Sequence, residues 1–450
     1  MYPRPGNPWP TATPLADRAP FYNESRTPTR PGVMESILFR NVRVLDCSGA
    51  APFAGAVLVR GERIEAVWPA AAVSAVADAR TIDGRGATLM PGMIEPHAHL
   101  TFTDCARSVE MGFIPVEEHL LIALRNARTM LEAGFTSCVS AASAKKRLDI
   151  VLRNAIDAGQ CPGPRLLAAS PEMTVTGGLG DVRLPHMYRE NFAVILDGAD
   201  EFRRFAREMC REGADTLKIN VSGDAGTPSA PAQRTVMSEA EIHAVSEVAL
   251  DFGKRVAAHA RSAEAVKRCL YYHVEILYHA TLLDEESLDQ LESVRDSVFV
   301  APTLGHLYAT LFEAEHWGLT VEGGRRLGLE EELQRGIDSA KALHRRGVRI
   351  LPGGDYGFAW NPIGANARDI EHFVKLLGLT PMEAILSATK LGGEIMMRGH
   401  ELGQIKPGYL ADMILVDGDP LANVGLLRDR DAIKLVMKGG SVCAGERMRA

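Results

Sequence analysis

The sequence predicts an α/β protein in which a (β/α)8 TIM barrel is joined to a small β-sandwich domain built from both chain ends. Three observations predict this architecture. Apolar strand-like runs alternate with longer helical patterns from about residue 90 to about residue 400. Short β-prone runs separated by glycine-containing turns occupy residues 34–88 and return after residue 402. Eight prolines fall within residues 1–33, too many for a helix or a central strand.

These observations divide the chain into four predicted segments. Residues 1–33 form a proline-rich N-terminal arm, and residues 89–401 form the barrel. Residues 34–88 and 402–450 are the two parts of the small β domain, and we expect them to share one sheet. The candidate barrel strands are residues 88–94, 135–141, 165–170, 215–221, 255–260, 274–280, 297–303 and 348–355.

Helical patterns separate these strands. Two such helical patterns span residues 116–134 and 238–253. The second begins with Ser238 as its N-cap, and Glu241 three residues later is the matching partner of a capping box. Because barrel strands alternate with such helices, the polar residues at the strand ends are expected to meet at one mouth of the barrel.

Composition restricts the class of function. The 450 residues carry a formal net charge of -7, and no segment combines Lys/Arg runs with aromatics as a nucleic-acid groove requires. Seven scattered cysteines contain no C-x-x-C pair, which argues against a disulfide framework or a cysteine zinc site. No apolar run approaches the roughly 18 residues of a membrane span, and the N-terminus lacks the apolar core of a secretion signal. We therefore predict a cytoplasmic protein that binds neither nucleic acid nor membrane.

The stretch LMPGMIEPHAHL, residues 89–100, places His97 and His99 two positions apart at the end of an apolar run. Side chains two apart on a strand point the same way, so both imidazoles face one side. Taken alone, such a pair is more often two hydrogen-bonded loop histidines. Further metal-competent residues end other candidate strands, namely Lys218, His259, His279 and Asp355. Six such groups at one barrel mouth predict a metal site.

Residues 34–445 resemble the metal-dependent amidohydrolase superfamily. The resemblance lies in PGMIEPHAHL, ADTLKINVSGD, VAAHARS, ILYHATLLDEE, GGDYG and the tail LTPMEAILSATKLGGEIM with LGQIKPGYLADMILVDGDPL. It implies that an H-x-H pair, a lysine carboxylated on its amine, two later histidines and an aspartate hold two divalent metals. Carried over by position, these ligands are His97, His99, Lys218, His259, His279 and Asp355.

The chemistry of these side chains is consistent with that assignment. Two dications would repel a free ammonium at Lys218, whereas its carbamate offers two oxygens that can bridge them. Zinc is the expected metal because it suits imidazole and carboxylate ligands. Such metals would supply hydroxide near neutral pH and polarise a carbonyl, and Asp355 would act as general base. Asn220 points to the same strand face as Lys218; if Asn220 is the ligand instead, the site holds one ion.

Within the superfamily the sequence is most similar to the branch of imidazolonepropionase-like enzymes and prolidase-like dipeptidases. Those dipeptidases grip a substrate carboxylate with the histidine of a Gly-Gly-His-Gly-Asp run and the tyrosine of a Gln-Tyr-Ser run. This chain has GGLGD, with Leu179 at the histidine position, and TVMS, with Val236 and Met237 in the tyrosine region. Losing these polar groups favours a neutral, apolar substrate, because a carboxylate is costly to desolvate without partners.

Candidate substrate contacts follow the last two strands. Tyr356, Phe358 and Trp360 follow Asp355 and are expected to line a flat apolar pocket or to pack the loop. His306 is expected either to donate to a substrate carbonyl or oxyanion or to be a solvated loop histidine. Leu179 completes this predicted set.

We therefore predict a metal-dependent hydrolase that cleaves a C–N bond in a neutral amide, carbamate or urea, resembling the molinate and phenylurea hydrolases. One alternative is a dipeptidase or N-acyl-amino-acid hydrolase that holds its carboxylate with Arg261 or His306. Hydrolysis of a cyclic amide of the imidazolone type is a second. A non-catalytic scaffold is a third, although all six ligand positions are filled. The proline-rich arm and the habits of the superfamily predict a homo-oligomer.

Overall fold

The computed structural model describes residues 36–72, 76 and 78–445, so the predicted arm over residues 1–33 lies outside the described residues. The strands in the first part of the chain are β1 (Ser36–Val44), β2 (Phe53–Arg60), β3 (Arg63–Pro69), β4 (Ala79–Asp83), β5 (Thr88–Pro91), β6 (Met93–Ala98), β7 (Phe135–Ser140), β8 (Arg165–Leu167) and β9 (Ala169–Thr174). Those in the second part are β10 (Val194–Ile195), β11 (Thr216–Asn220), β12 (Arg255–Ser262), β13 (Ile276–Leu282), β14 (Phe299–Ala301), β15 (Met413–Val416), β16 (Ile433–Lys438) and β17 (Ser441–Gly445).

The α-helices lie mostly between these parallel strands and after them. They are α1 (Val116–Glu132), α2 (Leu148–Asp157), α3 (Ala199–Glu212), α4 (Glu239–Asp251), α5 (Ala263–Tyr271), α6 (Glu285–Ser293), α7 (Leu304–Phe312), α8 (Val321–Arg326), α9 (Leu329–Arg345), α10 (Arg368–Lys375), α11 (Pro381–Ala388) and α12 (Lys390–Ile395). The capping box predicted between Ser238 and Glu241 is confirmed at the start of α4. In the part of the chain that the structure describes, every helix is too short or too polar to cross a bilayer.

The two chain ends build one eight-stranded sheet, which confirms the prediction that they share a sheet. Its order is β17-β16-β15-β5-β1-β2-β3, and β4 pairs with β1. The link between the ends is β5, which runs antiparallel to β15 with Leu89 opposite Leu415. The hydrogen bonds thus form a single sheet where a sandwich was predicted, and apolar side chains such as Phe39 and Leu89 make its core.

The predicted strand over residues 88–94 is two strands. β5 belongs to the eight-stranded sheet, whereas β6 pairs with β7. Gly92 connects them where the chain passes very close to Thr136, because a Cβ at Gly92 would lie 2.3 Å from the Thr136 hydroxyl oxygen. Glycine is therefore required at this close approach.

The middle of the chain forms parallel strands that pair in chain order, except that β10 lies at the outer edge beside β9. One sheet contains β6-β7-β8 and a second contains β10-β9-β11-β12-β13-β14. Ala168 separates β8 from β9, and its carbonyl accepts from the backbone N–H of Asp215, just before β11. Helices α1 to α6 follow this succession of strands, as parallel βα units require.

Residues 348–355 differ from the predicted eighth strand. Within the described residues, Ile350 pairs with Val300 of β14 in an isolated bridge, and no continuous ladder follows. Pro352 lacks an N–H, and Asp355 has a left-handed backbone with φ 57°, so a regular strand cannot continue here. The segment nevertheless runs beside β6, because a Cβ at Gly353 would lie 2.7 Å from the Cβ of His97.

Candidate metal centre

The end of β6 brings the two histidines of the H-x-H pair into the interior. His97 and His99 are 1% and 2% exposed, and their ring centroids lie 5.3 Å apart. Glu95, two residues earlier, accepts from the backbone N–H of His97 and from the side-chain amide of Asn366. Burial raises the pKa of Glu95 to about 8, although both hydrogen bonds oppose that rise. The strand end is therefore fixed by a buried carboxyl group.

Asp355 faces these histidines from the segment after Ile350. Its Oδ1 lies 3.0 Å from Nε2 of His99 and 3.7 Å from Nε2 of His97. Burial alone would raise the pKa of Asp355, but the nearby imidazoles of His97 and His99 hold it well below its usual range. The left-handed backbone at Asp355 is a strained conformation of the kind that clusters at functional sites.

Two further histidines come from neighbouring strands. His259 on β12 and His279 on β13 are buried, with ring centroids 4.2 Å apart, and the His279 ring lies 5.4 Å from that of His97. Nε2 of His259 lies 2.9 Å from the carbonyl oxygen of Gly223. That ring nitrogen therefore carries the hydrogen, which leaves Nδ1 as the free lone pair.

Lys218 lies on β11 beside the same space. Its side chain is 1% exposed, and its Nζ lies 4.6 Å from the ring centroid of Tyr278. Burial lowers the pKa of Lys218, which raises the share of neutral amine, the form that reacts with carbon dioxide. Tyr278 also stacks on His97 at a centroid distance of 3.9 Å and so packs against two of the predicted ligands.

The residues present fit a divalent metal ion. Within the described residues, His97, His279 and Asp355 each offer a ligand atom, and those atoms lie within 4.8 Å of one another. Burial holds the pKa of His97 and of His279 well below the usual value, so both rings are neutral and keep a lone pair. Nδ1 of His279 is buried without a hydrogen-bond partner. Neutral imidazoles beside a carboxylate are the ligand type that zinc and related metals prefer.

The side-chain nitrogen of Asn220 is occupied by hydrogen bonds within the protein. Its amide Nδ2 donates to Oε2 of Glu172 at 2.9 Å and to the carbonyl oxygen of Leu179 at 3.2 Å. Its Oδ1 is buried without a partner. Asn220 therefore ties β11 to β9, which carries Glu172, and to the loop that carries Leu179.

The side chains predicted to contact the substrate differ in burial and in their hydrogen-bond partners. Tyr356 is fully buried, and its hydroxyl donates to Asp369 at 2.5 Å, so its phenol is committed to the protein interior. Trp360 is half-buried and donates through Nε1 to the hydroxyl of Thr310. Leu179 is half-buried on the loop after β9. His306 lies in the first turn of α7, and burial lowers its pKa, so its ring is neutral.

A chain of rings, which we call the aromatic series, leads outward from the candidate metal centre. Phe102 stacks on His99 at 4.1 Å and meets Phe358 edge-on at 5.8 Å. Phe358 stacks on Trp360 at 5.8 Å, and Trp360 lies 6.3 Å from Trp317, which is 42% exposed. The aromatic series thus connects a buried histidine to the surface.

Arg261 follows His259 on β12 and is 1% exposed. Its Nε and Nη2 lie 2.8 and 2.7 Å from Oδ2 of Asp224, and its Nη1 lies 2.7 Å from Oε1 of Glu332. The hydroxyl of Thr281 donates to the same oxygen of Glu332. The guanidinium is therefore neutralised by two carboxylates of the protein itself.

Sequence reasoning missed three residues of this site. They are Glu172 and Tyr278, described above, and Thr303, whose hydroxyl lies 3.2 Å from Nδ1 of His97. A signal existed for two of them, because Glu172 and Thr303 are polar residues in or just after apolar strand runs. Tyr278 carries no such signal, since an aromatic residue in a buried strand is ordinary.

The chain matches known proteins over most of its length. The model of the amidohydrolase family matches residues 88–443. The ochratoxinase of Aspergillus niger is 24% identical over 377 residues, which cover 79% of this chain and 76% of that protein. The imidazolonepropionase of Streptomyces coelicolor is 23% identical over 381 residues, which cover 80% of this chain and 85% of that protein.

Solved structures of hydrolases also resemble this chain over most of its length. A prolidase complexed with N-methylphosphonate-L-proline is 27% identical, with a TM-score of 0.80, and the match covers 90% of this chain and 99% of that one. Molinate hydrolase and phenylurea hydrolase B share the fold at 19% identity, with TM-scores of 0.74 and 0.71. Their matches each cover 91% of this chain and 94% and 96% of the respective structures.

Proposed function

From the premise that the chain belongs to the amidohydrolase family and is a hydrolase acting on carbon–nitrogen bonds, we propose that it hydrolyses a neutral amide, carbamate or urea that bears an aryl or alkyl group. The observation that carries the proposal is the state of Arg261. Its guanidinium is a strong cation beside the candidate metal centre, yet Asp224 and Glu332 already bind it. A substrate carboxylate would have to displace the half-buried Asp224 or the buried Glu332 from the guanidinium, which is costly.

The surroundings of the site also favour an apolar group. Leu179 occupies the position where the dipeptidases that the sequence resembles have a histidine. The aromatic series offers Phe358 and Trp360 as half-buried ring faces on the path from His99 to the surface. An aryl substituent binds such faces by offset stacking, with about 0.5–1.5 kcal/mol beyond the area that it buries.

The proposal assigns the metal to the residues predicted as ligands. His97, His99, His259, His279, Asp355 and a carboxylated Lys218 would hold two divalent ions, with zinc as the expected metal. When bound, such ions activate water and polarise the scissile carbonyl. Asp355 would hold the proton taken from water and pass it to the leaving amine. His306, with its neutral ring, would donate a hydrogen bond to the substrate.

The finer architectural predictions belong to the same proposal. Residues 89–401 would form a closed barrel in which residues 348–355 complete the ring beside β6, with the two chain ends forming the small domain. This closure is supported by the bridge of Ile350 to Val300 and by the approach of Gly353 to His97. A homo-oligomer in the cytoplasm completes the proposal.

The test is turnover of a substrate panel by the zinc-reconstituted protein, with metal content measured on the same sample. The panel sets neutral anilides, carbamates and phenylureas against dipeptides and N-acyl amino acids. We expect cleavage confined to the neutral set, with about two metals per chain. Cleavage confined to the carboxylate set would overturn the substrate assignment, and turnover after complete metal removal would overturn the metal dependence.

A dipeptidase is the second candidate, and one observation favours it. The prolidase structure is 27% identical to this chain, whereas molinate hydrolase and phenylurea hydrolase B are 19% identical. In that case His306 would have to meet the substrate carboxylate, because Arg261 is already paired. Cleavage of Xaa-Pro dipeptides that is lost in His306→Ala but retained on neutral anilides would support this second function.

A further inference from the structure

Thr303 has a strained backbone next to the candidate metal centre. It lies between β14 and α7 with φ 60° and ψ 38°, which is the left-handed region. A β-branched residue in this region is a genuine outlier, because its Cβ substituents crowd the backbone. Such strain is unfavourable and persists only where the surrounding structure enforces it. We therefore expect the side chain of Thr303 to make contacts that offset this backbone strain.

The hydroxyl of Thr303 makes two hydrogen bonds, and its single hydrogen decides their directions. Oγ1 lies 3.0 Å from the carbonyl oxygen of Ala301, which can only accept. The hydroxyl hydrogen therefore points at Ala301. Oγ1 also lies 3.2 Å from Nδ1 of His97, so in that bond the hydroxyl accepts and His97 donates.

We propose that Thr303 is a positioning residue that holds His97 in the tautomer with its hydrogen on Nδ1 and so directs the Nε2 lone pair to the metal. The proposal rests on the metal-dependent function proposed above. Nε2 of His97 lies on the side of Asp355, at 3.7 Å from its Oδ1. A ligating histidine is typically held in this way, with its other ring N–H bound to an acceptor.

The position of the ring is fixed from a second direction. Tyr278 stacks on His97 at 3.9 Å with an angle of 26° between the ring planes. The hydroxyl of Tyr278 donates to the carbonyl oxygen of Pro96, the residue before His97. Tyr278 thus fixes the plane of the imidazole, and Thr303 fixes which nitrogen carries the hydrogen.

His259 shows the opposite arrangement in the same site. The carbonyl oxygen of Gly223 accepts from Nε2 of His259 at 2.9 Å, so Nδ1 of that ring is free. His97 is held through Nδ1 and His259 is held through Nε2, so the two histidines are fixed in opposite tautomers. Only the His97 arrangement depends on a side chain, and it can therefore be changed by substitution.

The test compares two substitutions of nearly equal size at this strained position. Thr303→Val keeps the β-branch and removes the hydroxyl, whereas Thr303→Ser keeps the hydroxyl and removes the methyl group. Zinc affinity is measured by competition with a chromophoric chelator, without any substrate. We expect Thr303→Val to weaken zinc binding roughly 10- to 100-fold, and Thr303→Ser to stay within a few-fold of the parent.

The tautomer itself is read in the metal-free protein by ¹⁵N NMR of labelled histidines, with His97→Gln to assign the signal. We expect hydrogen on Nδ1 of His97 in the parent and in Thr303→Ser, and loss of that preference in Thr303→Val. Thr389→Val removes another fully buried hydroxyl, which donates to the carbonyl oxygen of Ile385. It controls for general destabilisation, and its zinc affinity is expected to equal that of the parent.

Each outcome separates this inference from the function on which it rests. If Thr303→Val folds and binds zinc as tightly as Thr303→Ser, the positioning role is wrong while the metal centre stands. If the parent protein binds no divalent metal, the proposed function itself fails. If Thr303→Val does not fold, Thr303→Gly takes its place, since glycine adopts the left-handed region without strain and offers no side-chain acceptor to His97, and unchanged zinc affinity in that variant overturns the inference.

Discussion

The guanidinium of Arg261 lies 2.7 Å from the carboxylate of Glu332, and the two side chains are 2% and 5% exposed. Asp224 binds the opposite edge of the same guanidinium. Arg261 and Glu332 are thus buried beside the candidate metal centre, and the half-buried Asp224 completes the network. Its members depend on one another, because a buried charge without its partner is far more costly than the intact pair.

Removing the cation of this network should destabilise the fold. We expect Arg261→Ala to lower the free energy of unfolding by roughly 3–5 kcal/mol, because the buried carboxylate of Glu332 and the half-buried carboxylate of Asp224 lose their partner. Urea unfolding followed by circular dichroism measures the loss. Arg107→Ala is the matched control, since Arg107 pairs with Glu110 on the surface at 75% side-chain exposure, and a loss below about 1 kcal/mol is expected there. Equal losses in the two variants would contradict the buried network.

The same network predicts a dependence on acid. Burial alone would raise the pKa of the Asp224 carboxyl, but the guanidinium of Arg261 outweighs burial and lowers that pKa to about 2. A carboxyl whose folded pKa is lowered stabilises the protein above its ordinary pKa near 3.8, and that stabilisation is lost as the pH falls towards 2. Between pH 6 and pH 3.5 the metal-free parent should therefore lose more unfolding free energy than Asp224→Asn. Parallel curves for the two proteins would show that Asp224 does not titrate in this way.

Position 179 should decide between neutral and anionic substrates. Leu179→His introduces a donor on the loop that Asn220 holds through the Leu179 carbonyl. We expect this variant to gain turnover of N-acyl amino acids or dipeptides and to lose turnover of neutral anilides, because a carboxylate then finds a partner. The kcat/KM values for both substrate types measure the shift, and Leu179→Met, which stays apolar, is the control. A histidine variant that behaves like the methionine variant would remove position 179 from substrate selection.

Two aromatic residues of the loop after Asp355, Tyr356 and Trp360, should differ in role. Tyr356→Phe removes the hydrogen bond to the buried Asp369, and we expect a loss of about 1–3 kcal/mol in unfolding free energy with KM unchanged. Trp360→Ala should raise KM for aryl substrates several-fold, because a stacking face of the aromatic series is lost. Thermal unfolding and steady-state kinetics on both variants check this. A raised KM in Tyr356→Phe with unchanged stability would reverse the assignment.

Lys218 should be replaceable in part by a small acid. Lys218→Ala is expected to lose activity, and added formate, acetate or propionate should restore some of it by supplying the carboxylate of the lost carbamate. His259→Ala is the control, because a carboxylic acid does not replace an imidazole at that position. Activity is measured against acid concentration with metal in excess. Absence of recovery in Lys218→Ala would favour a single-metal site in which Asn220 takes part.

The positions of the candidate ligands could be predicted from the sequence because they depend on local periodicity. His97 and His99 share a strand face since side chains alternate along a strand, and His259 and His279 follow from two further apolar runs. The start of the helix after Ser238 was predicted to the residue, because a capping box is a local hydrogen-bond pattern. The predicted eighth strand over residues 348–355 is reduced to the isolated bridge of Ile350 to Val300 of β14, because the course of this segment depends on contacts between distant parts of the chain.

From the sequence alone follow the alternation of strands and helices, the six candidate ligands and the resemblance of the chain to one family of hydrolases. The tertiary structure decided what those residues and their neighbours are bound to. Arg261 is held by Glu332, which is 71 residues away, and His97 meets Thr303, which is 206 residues away. Such pairings depend on how distant segments pack, and neither composition nor periodicity carries that information. In the structure Arg261, a candidate carboxylate clamp, forms a buried ion pair with Glu332. The strained Thr303 lies against His97 beside the candidate metal centre.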